Sequence, residues 1–134
     1  MSPRRIILIV ALCALAALAA GCGGDDEPVT FGEGKIPGSV PSGFPVPDGA
    51  VVGSTLVDRV NHRTEFALTL RQEATAVVQY YTVNLVSAGY VVDFSEGDMF
   101  NWRIEFSRGE LRGNLVIQPG GSGLAAVVVS LNTS

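Results

Sequence analysis

Apolar and polar residues alternate along most of the second half of this chain, and that pattern constrains its fold most. Between residues 64 and 70, Phe66, Leu68 and Leu70 lie at every second position. Successive side chains of a β-strand point to opposite faces, so this period of two predicts a strand with one buried face. Similar β-branched or alternating stretches predict five more strands, over residues 51–60, 90–94, 101–107, 111–118 and 124–131.

One segment has a different period and predicts a helix over residues 73–88. Its apolar residues recur at spacings of three and four, which forms one stripe of an amphipathic helix. The stripe consists of Ala74, Val77, Val78, Tyr81, Leu85 and Ala88. Glu73 suits the positive end of the helix dipole, and Gly89 stands where a left-handed residue ends a helix.

The resulting order of elements, ββαββββ, predicts an α+β fold. Short turns between successive strands favour antiparallel neighbours, so we expect a single antiparallel meandering sheet. The helix covers one face of this sheet and the other face is largely solvated. Pro45 and Pro47 impose an extended start, and Gly49 follows in a predicted turn. We therefore place one domain at residues 44–134, long enough to bury a core without disulfides.

The N-terminus has the layout of an export signal. Arg4 and Arg5 precede an unbroken apolar run from Ile6 to Ala20. A helix that spans a membrane needs about 20 apolar residues, and this run is shorter. A positive start, a short apolar core and small residues behind it are typical of a signal peptide. An uncleaved signal anchor and a plain secretory signal are the alternatives.

The end of this signal resembles the lipobox of bacterial lipoprotein precursors, in the residues Leu18, Ala19, Ala20, Gly21 and Cys22. The resemblance implies that the thiol of Cys22 is joined to a diacylglycerol and that residues 1–21 are cut away. One departure is that Ala19 takes the usual place of leucine. The whole chain is similar to short lipoproteins exported by high-GC Gram-positive bacteria. That resemblance implies a location on the extracytoplasmic side of the cell membrane.

The cysteine content agrees with lipidation. The chain has two cysteines, Cys13 and Cys22, and Cys13 would leave with the signal. The exported chain would keep one thiol, which has no partner for an internal disulfide and is reactive when exposed. A thioether to lipid removes that thiol. Two acyl chains suffice for stable attachment, so the anchor would hold the protein at the membrane without spanning it.

The residues that follow have the composition of a linker. Residues 23–43 contain six glycines and three prolines and begin with the acidic run Asp25, Asp26 and Glu27. This composition predicts a flexible coil over residues 22–43, with ends roughly 25 Å apart. Docking of Phe31 and Ile36 on the domain is the alternative, and it would shorten this reach.

Net charge argues against nucleic acid as a partner. The chain has nine basic and 13 acidic residues, and loss of Arg4 and Arg5 makes the exported part more negative still. Nucleic acids require basic clusters, which are missing. The same charge disfavours electrostatic binding to anionic head groups.

No catalytic or metal-binding motif can be assembled from the sequence. His62 is the single histidine, and with Cys13 in the signal and Cys22 lipidated it has no second strong ligand for zinc. No G-x-S-x-G motif is present, and Glu96 and Asp98 lie in a predicted turn rather than a calcium loop. We predict no enzyme activity, no metal and no cofactor.

The solvated face of the sheet is the candidate interaction surface. If the predicted registers hold, six polar residues share it: Thr69, Arg103, Glu105, Arg112, Asn114 and Gln118. An ordinary solvated face is the alternative. Trp102 is assigned to the core, and at a sheet edge it would become a contact anchor.

These observations predict a non-enzymatic interaction or scaffold module of the cell envelope, held by a lipid anchor beside an envelope protein partner. The alternative is a lipoprotein that binds a small ligand. That alternative predicts a concave pocket of roughly a few hundred Å³ between helix and sheet, lined by convergent polar groups.

Overall fold

The computed structural model describes residues 27–134, so the signal, lipobox and Cys22 predictions lie outside the described residues. Seven strands and one helix follow one another in this part of the chain. They are β1 (Val29–Glu33), β2 (Val51–Asp58), β3 (Arg63–Leu70), α1 (Ala74–Ser87), β4 (Val91–Gly97), β5 (Trp102–Arg108), β6 (Leu111–Pro119) and β7 (Ala125–Thr133). Within these residues, no helix is both long enough and apolar enough to cross a membrane.

All seven strands form one antiparallel sheet in the order β1-β2-β3-β7-β6-β5-β4. The prediction of an α+β fold with one antiparallel sheet and one helix is confirmed. The prediction of one continuous meander is wrong. Strands β1–β3 form one meander, α1 carries the chain to the opposite edge, and β4–β7 form a second meander that returns to β3. Strand β7 is central, because it pairs with β3 on one side and with β6 on the other, and five of its nine residues are buried.

The predicted linker is wrong from Glu27 onward. Residues 29–33 form the edge strand β1, which pairs with β2 from Val29 opposite Asp58 to Glu33 opposite Ser54. The element order is therefore βββαββββ. Arg59 holds the start of this strand, since its backbone N–H donates to the carbonyl of Pro28.

Residues 34–50 form a second cover on the sheet, beside the helix. Three turns begin at Pro37, Pro41 and Pro47, each of whose carbonyls accepts a hydrogen bond from the residue three places on. Gly43 and Gly49 take positive φ values of 83° and 76° within two of these turns. The predicted turn at residues 47–49 is present, with Pro47 as its first residue rather than its first central residue. Ile36, Val40, Phe44, Val46 and Ala50 from this segment pack on the core.

The helix covers the other part of the same face, over β4, β6 and β7. Its predicted stripe is confirmed, because Val77, Tyr81 and Leu85 are buried. The predicted C-terminus is confirmed as well. Gly89 has a φ of 87°, and its N–H donates to the carbonyl of Val86 while that of Tyr90 donates to Leu85. These two bonds form the left-handed cap that satisfies the last carbonyls of a helix.

Candidate functional site

The face of the sheet opposite the helix, here called the open face, contains all six residues predicted to share it. Residues directly opposite in an antiparallel pair point to the same side. Thr69 and Gln118 both lie opposite Ala126, and Asn114 lies between Glu105 and Ser130. Arg103 and Arg112 follow by the same alternation, opposite Val116 and Asn132. Their function as an interaction surface remains a prediction.

On one side of β7, over β4 to β6, the open face is polar at its centre, and the exposed Val91 and Phe94 lie at its β4 edge. We call this region the polar half of the open face. Arg103 and Glu105 form an ion pair there, and the guanidinium of Arg112 donates to the carbonyl oxygens of Gly109 and Leu111. A shallow depression of about 190 Å³ lies between these groups, lined by Asp93, Glu105, Phe106, Arg112, Gly113, Asn114 and Asn132. Carboxylate, guanidinium and amide groups together can pair with the polar groups of a peptide.

Asp93 reaches this depression because β4 contains a bulge. Val92 lies opposite Phe106 and Phe94 opposite Glu105, which leaves Asp93 as an extra residue on the edge strand. A bulge redirects side chains and interrupts edge pairing with other chains. The sequence pattern gave no signal for it, because residues 91–97 were divided between a shorter strand and a turn.

The other half of the open face, over β1 to β3 and bordered by Val128 of β7, is largely apolar. A depression of about 340 Å³ lies there, and its lining includes Phe31, Leu56, Ala67 and Val128. Glu65 borders it and accepts hydrogen bonds from Ser130 and from Arg63. Phe31 and Leu56 lie directly opposite each other on β1 and β2, so β1 extends the apolar surface that Leu56, Ala67 and Val128 form.

The open face carries a large share of the exposed apolar side chains. Eleven large hydrophobic residues are exposed among the described residues. Six of them lie on the open face by register: Val29, Phe31, Val51, Val91, Phe94 and Val128. Single exposed hydrophobic residues are ordinary, whereas contiguous apolar surface marks interaction sites. The open face is therefore more apolar than the sequence alternation predicts.

A separate cleft of about 370 Å³ lies between the first turns of α1 and the β4–β5 hairpin. Its lining is mostly apolar and consists of Ala74, Thr75, Val78, Asp98, Met99, Trp102 and Ile117. The size and place match those expected of a small-ligand site, but Thr75 and Asp98 are the only polar side chains in this lining. Oδ1 of Asp98 already accepts hydrogen bonds from the N–H groups of Phe100 and Asn101. The cleft therefore suits an apolar group better than a polar ligand.

Trp102 lies at this cleft and is half-buried on the core side of β5. Its indole N–H donates to the hydroxyl of Ser95 at 3.0 Å. The predicted assignment of Trp102 to the core face is therefore correct, although the side chain is only partly buried. The ring packs against the edge of the core beside the β4–β5 hairpin. Met99 and Phe100 form the two-residue loop of that hairpin and are both exposed.

The remaining titratable residues form no recognisable catalytic arrangement in residues 27–134. His62 is exposed in the turn between β2 and β3, with a φ of 52°. No three His, Cys, Asp or Glu side chains in this part of the chain are placed to hold a metal ion. Burial raises the pKa of Tyr90, and the guanidinium of Arg108, 4.4 Å above its ring, partly opposes that rise. Tyr90 is a core residue, with 3% of its surface exposed.

Comparison with known proteins adds no further indication of function. The sequence matches no known protein family, and neither a curated protein nor a solved structure is detectably similar to the chain.

Proposed function

We propose that this chain is a lipid-anchored protein of the extracytoplasmic membrane surface, whose domain binds an envelope protein through the open face. The anchor is the diacylglyceryl thioether of Cys22, formed after export. The function is non-enzymatic: the domain positions or assembles a partner close to the membrane.

The lipobox-like residues support the anchor. Ala20 and Gly21 are small enough for a peptidase cleft, and Cys22 follows an apolar run of signal length. No cysteine follows Cys22 in the chain, so lipidation leaves the exported protein without a free thiol.

The composition of the open face is the observation that supports an interaction module. Its apolar half presents Leu56, Ala67 and Val128, and the polar half beside it presents the Arg103–Glu105 pair and Arg112. Apolar surface bordered by polar groups is the usual anatomy of a protein interface. An open sheet face with shallow depressions suits a protein better than a small molecule, because small ligands are held in enclosed concave sites.

Replacing Cys22 with alanine tests the anchor. We expect Cys22→Ala to abolish lipidation, so that the protein is found in the medium or as an unprocessed precursor. Mass spectrometry of the N-terminus and separation of membrane from soluble fractions measure this. The matched control is Cys13→Ala, which removes the other cysteine and leaves membrane attachment unchanged. A wild-type protein that retains residues 1–21 with an unmodified Cys22 would contradict the proposal.

Site-specific photo-crosslinking in intact cells tests the open face. We expect a crosslinking residue at position 103 or 128 to give the same adduct, because both lie on the open face. A crosslinker at Val83, which is exposed on the outer side of α1, is the control. An adduct of equal yield from position 83, or none from positions 103 and 128, argues against this face as the interface.

A further inference from the structure

The start of β1 is clamped to the turn between β2 and β3. Nη1 of Arg59 donates to the carbonyl oxygen of Glu27 at 2.6 Å and to Oγ1 of Thr30 at 2.9 Å. The backbone N–H of Arg59 donates to the carbonyl of Pro28 at 2.8 Å. Three hydrogen bonds therefore fix the point at which the chain from Cys22 reaches the domain.

This clamp limits the reach of a lipid anchor on Cys22. Only five residue steps separate Cys22 from Glu27. A fully extended chain covers at most about 3.3–3.6 Å per residue, so the Cα of Glu27 lies within about 18 Å of the Cα of Cys22. A flexible linker over residues 22–43, as the sequence predicted, would have allowed the domain to stand well clear of the bilayer. The shorter connection holds this corner of the sheet close to the head groups.

The surface at this corner is unusually apolar for a sheet edge. Phe31 is 76% exposed and Val60 67% exposed, and Val29 is exposed on the same strand as Phe31. Val60 is held outward by the turn, in which Asp58 accepts hydrogen bonds from the N–H groups of Val60 and Asn61. We call Val29, Phe31, Arg59 and Val60 the anchor corner.

We propose that the anchor corner rests on the lipid bilayer, with Phe31 and Val60 in the interfacial region. This inference depends on the proposed lipidation of Cys22. The short connection to the lipid keeps these apolar side chains at a high effective concentration near the membrane surface. A contact that is weak by itself is therefore sufficient to hold the anchor corner on the bilayer. The contact is apolar rather than electrostatic, because the neighbouring Asp25, Asp26 and Glu27 oppose attraction to anionic lipids.

The contact also sets which surface faces away from the membrane. Across the sheet, the pairing of successive strands aligns Val29 at the start of β1 with Val91 at the start of β4. The β4–β5 loop follows Gly97, at the other end of β4. The loop and the anchor corner are therefore at diagonally opposite corners of the sheet. Six strand spacings and one strand length separate the two corners by roughly 35 Å. Met99 and Phe100 therefore project away from the bilayer.

Quenching of single tryptophans by brominated lipids tests this orientation. Trp102→Phe removes the native tryptophan, and Phe31→Trp, Val60→Trp or Phe100→Trp then adds one. The lipidated protein is purified from membranes and reconstituted in phosphatidylcholine vesicles brominated near the head-group end of the acyl chains. We expect positions 31 and 60 to lose roughly half of their emission relative to unbrominated vesicles, and position 100 to be unchanged.

Phe100 is the matched control because it is also an exposed phenylalanine, at 70%. Equal quenching at positions 31 and 100, or none at 31 and 60, overturns the proposal while lipidation stands. Mass spectrometry of the same preparation separates the two claims: an unmodified Cys22 defeats the lipid anchor itself and this inference with it. Circular dichroism establishes that each variant retains the fold of the parent.

Discussion

Replacing Phe44 with alanine is expected to lower the free energy of unfolding by about 3–5 kcal/mol. Phe44 is 7% exposed although it comes from a segment rich in glycine and proline. Its ring lies 5.8–6.5 Å from those of Phe66, Tyr81, Tyr90 and Phe106. Those rings come from β3, α1, β5 and the residue before β4, so the loss opens a cavity where all parts of the core meet.

Urea unfolding of the exported chain measures this effect. A loss of about 3–5 kcal/mol is a large part of the 5–15 kcal/mol that holds a typical domain folded. Phe31→Ala is the matched control, because it removes the same ring from an exposed site and is expected to change stability by at most about 0.5 kcal/mol. A Phe44→Ala effect as small as that of Phe31→Ala would mean that the Phe44 ring is not part of the core.

Replacing Gly113 with alanine is expected to lower the free energy of unfolding by about 1–3 kcal/mol. Gly113 lies opposite Phe106 on neighbouring strands. A Cβ atom at Gly113 would lie 2.5 Å from Cε2 of Phe106, nearer still to its Cζ, and 3.0 Å from Cδ2 of Leu131. The Phe106 ring is 1% exposed and packed against Phe44 and Tyr90, so it cannot swing aside.

Thermal and urea unfolding measure this second effect, with Gly53→Ala as the matched control. Gly53 also lies within a strand, but a Cβ there would meet Ala67 at an ordinary 3.7 Å. We expect the control to leave stability within about 0.5 kcal/mol of the parent. In a double-mutant cycle, Phe106→Leu should reduce the cost of Gly113→Ala because the shorter side chain vacates that space. An unchanged cost in the Phe106→Leu background would disprove the steric explanation.

The core face and the open face differ in what they require of the sequence. On the core face, Phe106 and Leu115 are almost completely buried among closely packed neighbours. A larger or smaller side chain at either position would therefore clash or leave a cavity. On the open face, Arg103 and Glu105 form an exposed ion pair, and such pairs contribute little to stability. Substitutions on the open face should therefore affect binding of a partner more than folding.

The sequence alone determined the local elements of this protein. A period of two in residues 63–70 and a stripe with helical spacing in residues 74–87 decide strand and helix through side-chain direction, which is local geometry. Gly89 determined the end of the helix for the same reason, since its positive φ is a property of one residue. The shared face of Thr69, Arg103 and Asn114 also followed, because alternation continues along each strand.

The assembly of these elements depends on contacts between distant parts of the chain. Residues 29–33 contain three strand-forming residues, Val29, Thr30 and Phe31, but they stand in a segment rich in glycine and proline. They become β1 because β2 offers an unpaired edge. Residues 34–50 resemble a linker in composition, yet Ile36, Val40 and Phe44 pack on the part of the sheet that a 14-residue helix leaves uncovered. The central place of β7 results from its pairing with β3 on one side and β6 on the other. Each of these outcomes depends on apolar surface presented by distant parts of the chain, which no local pattern contains.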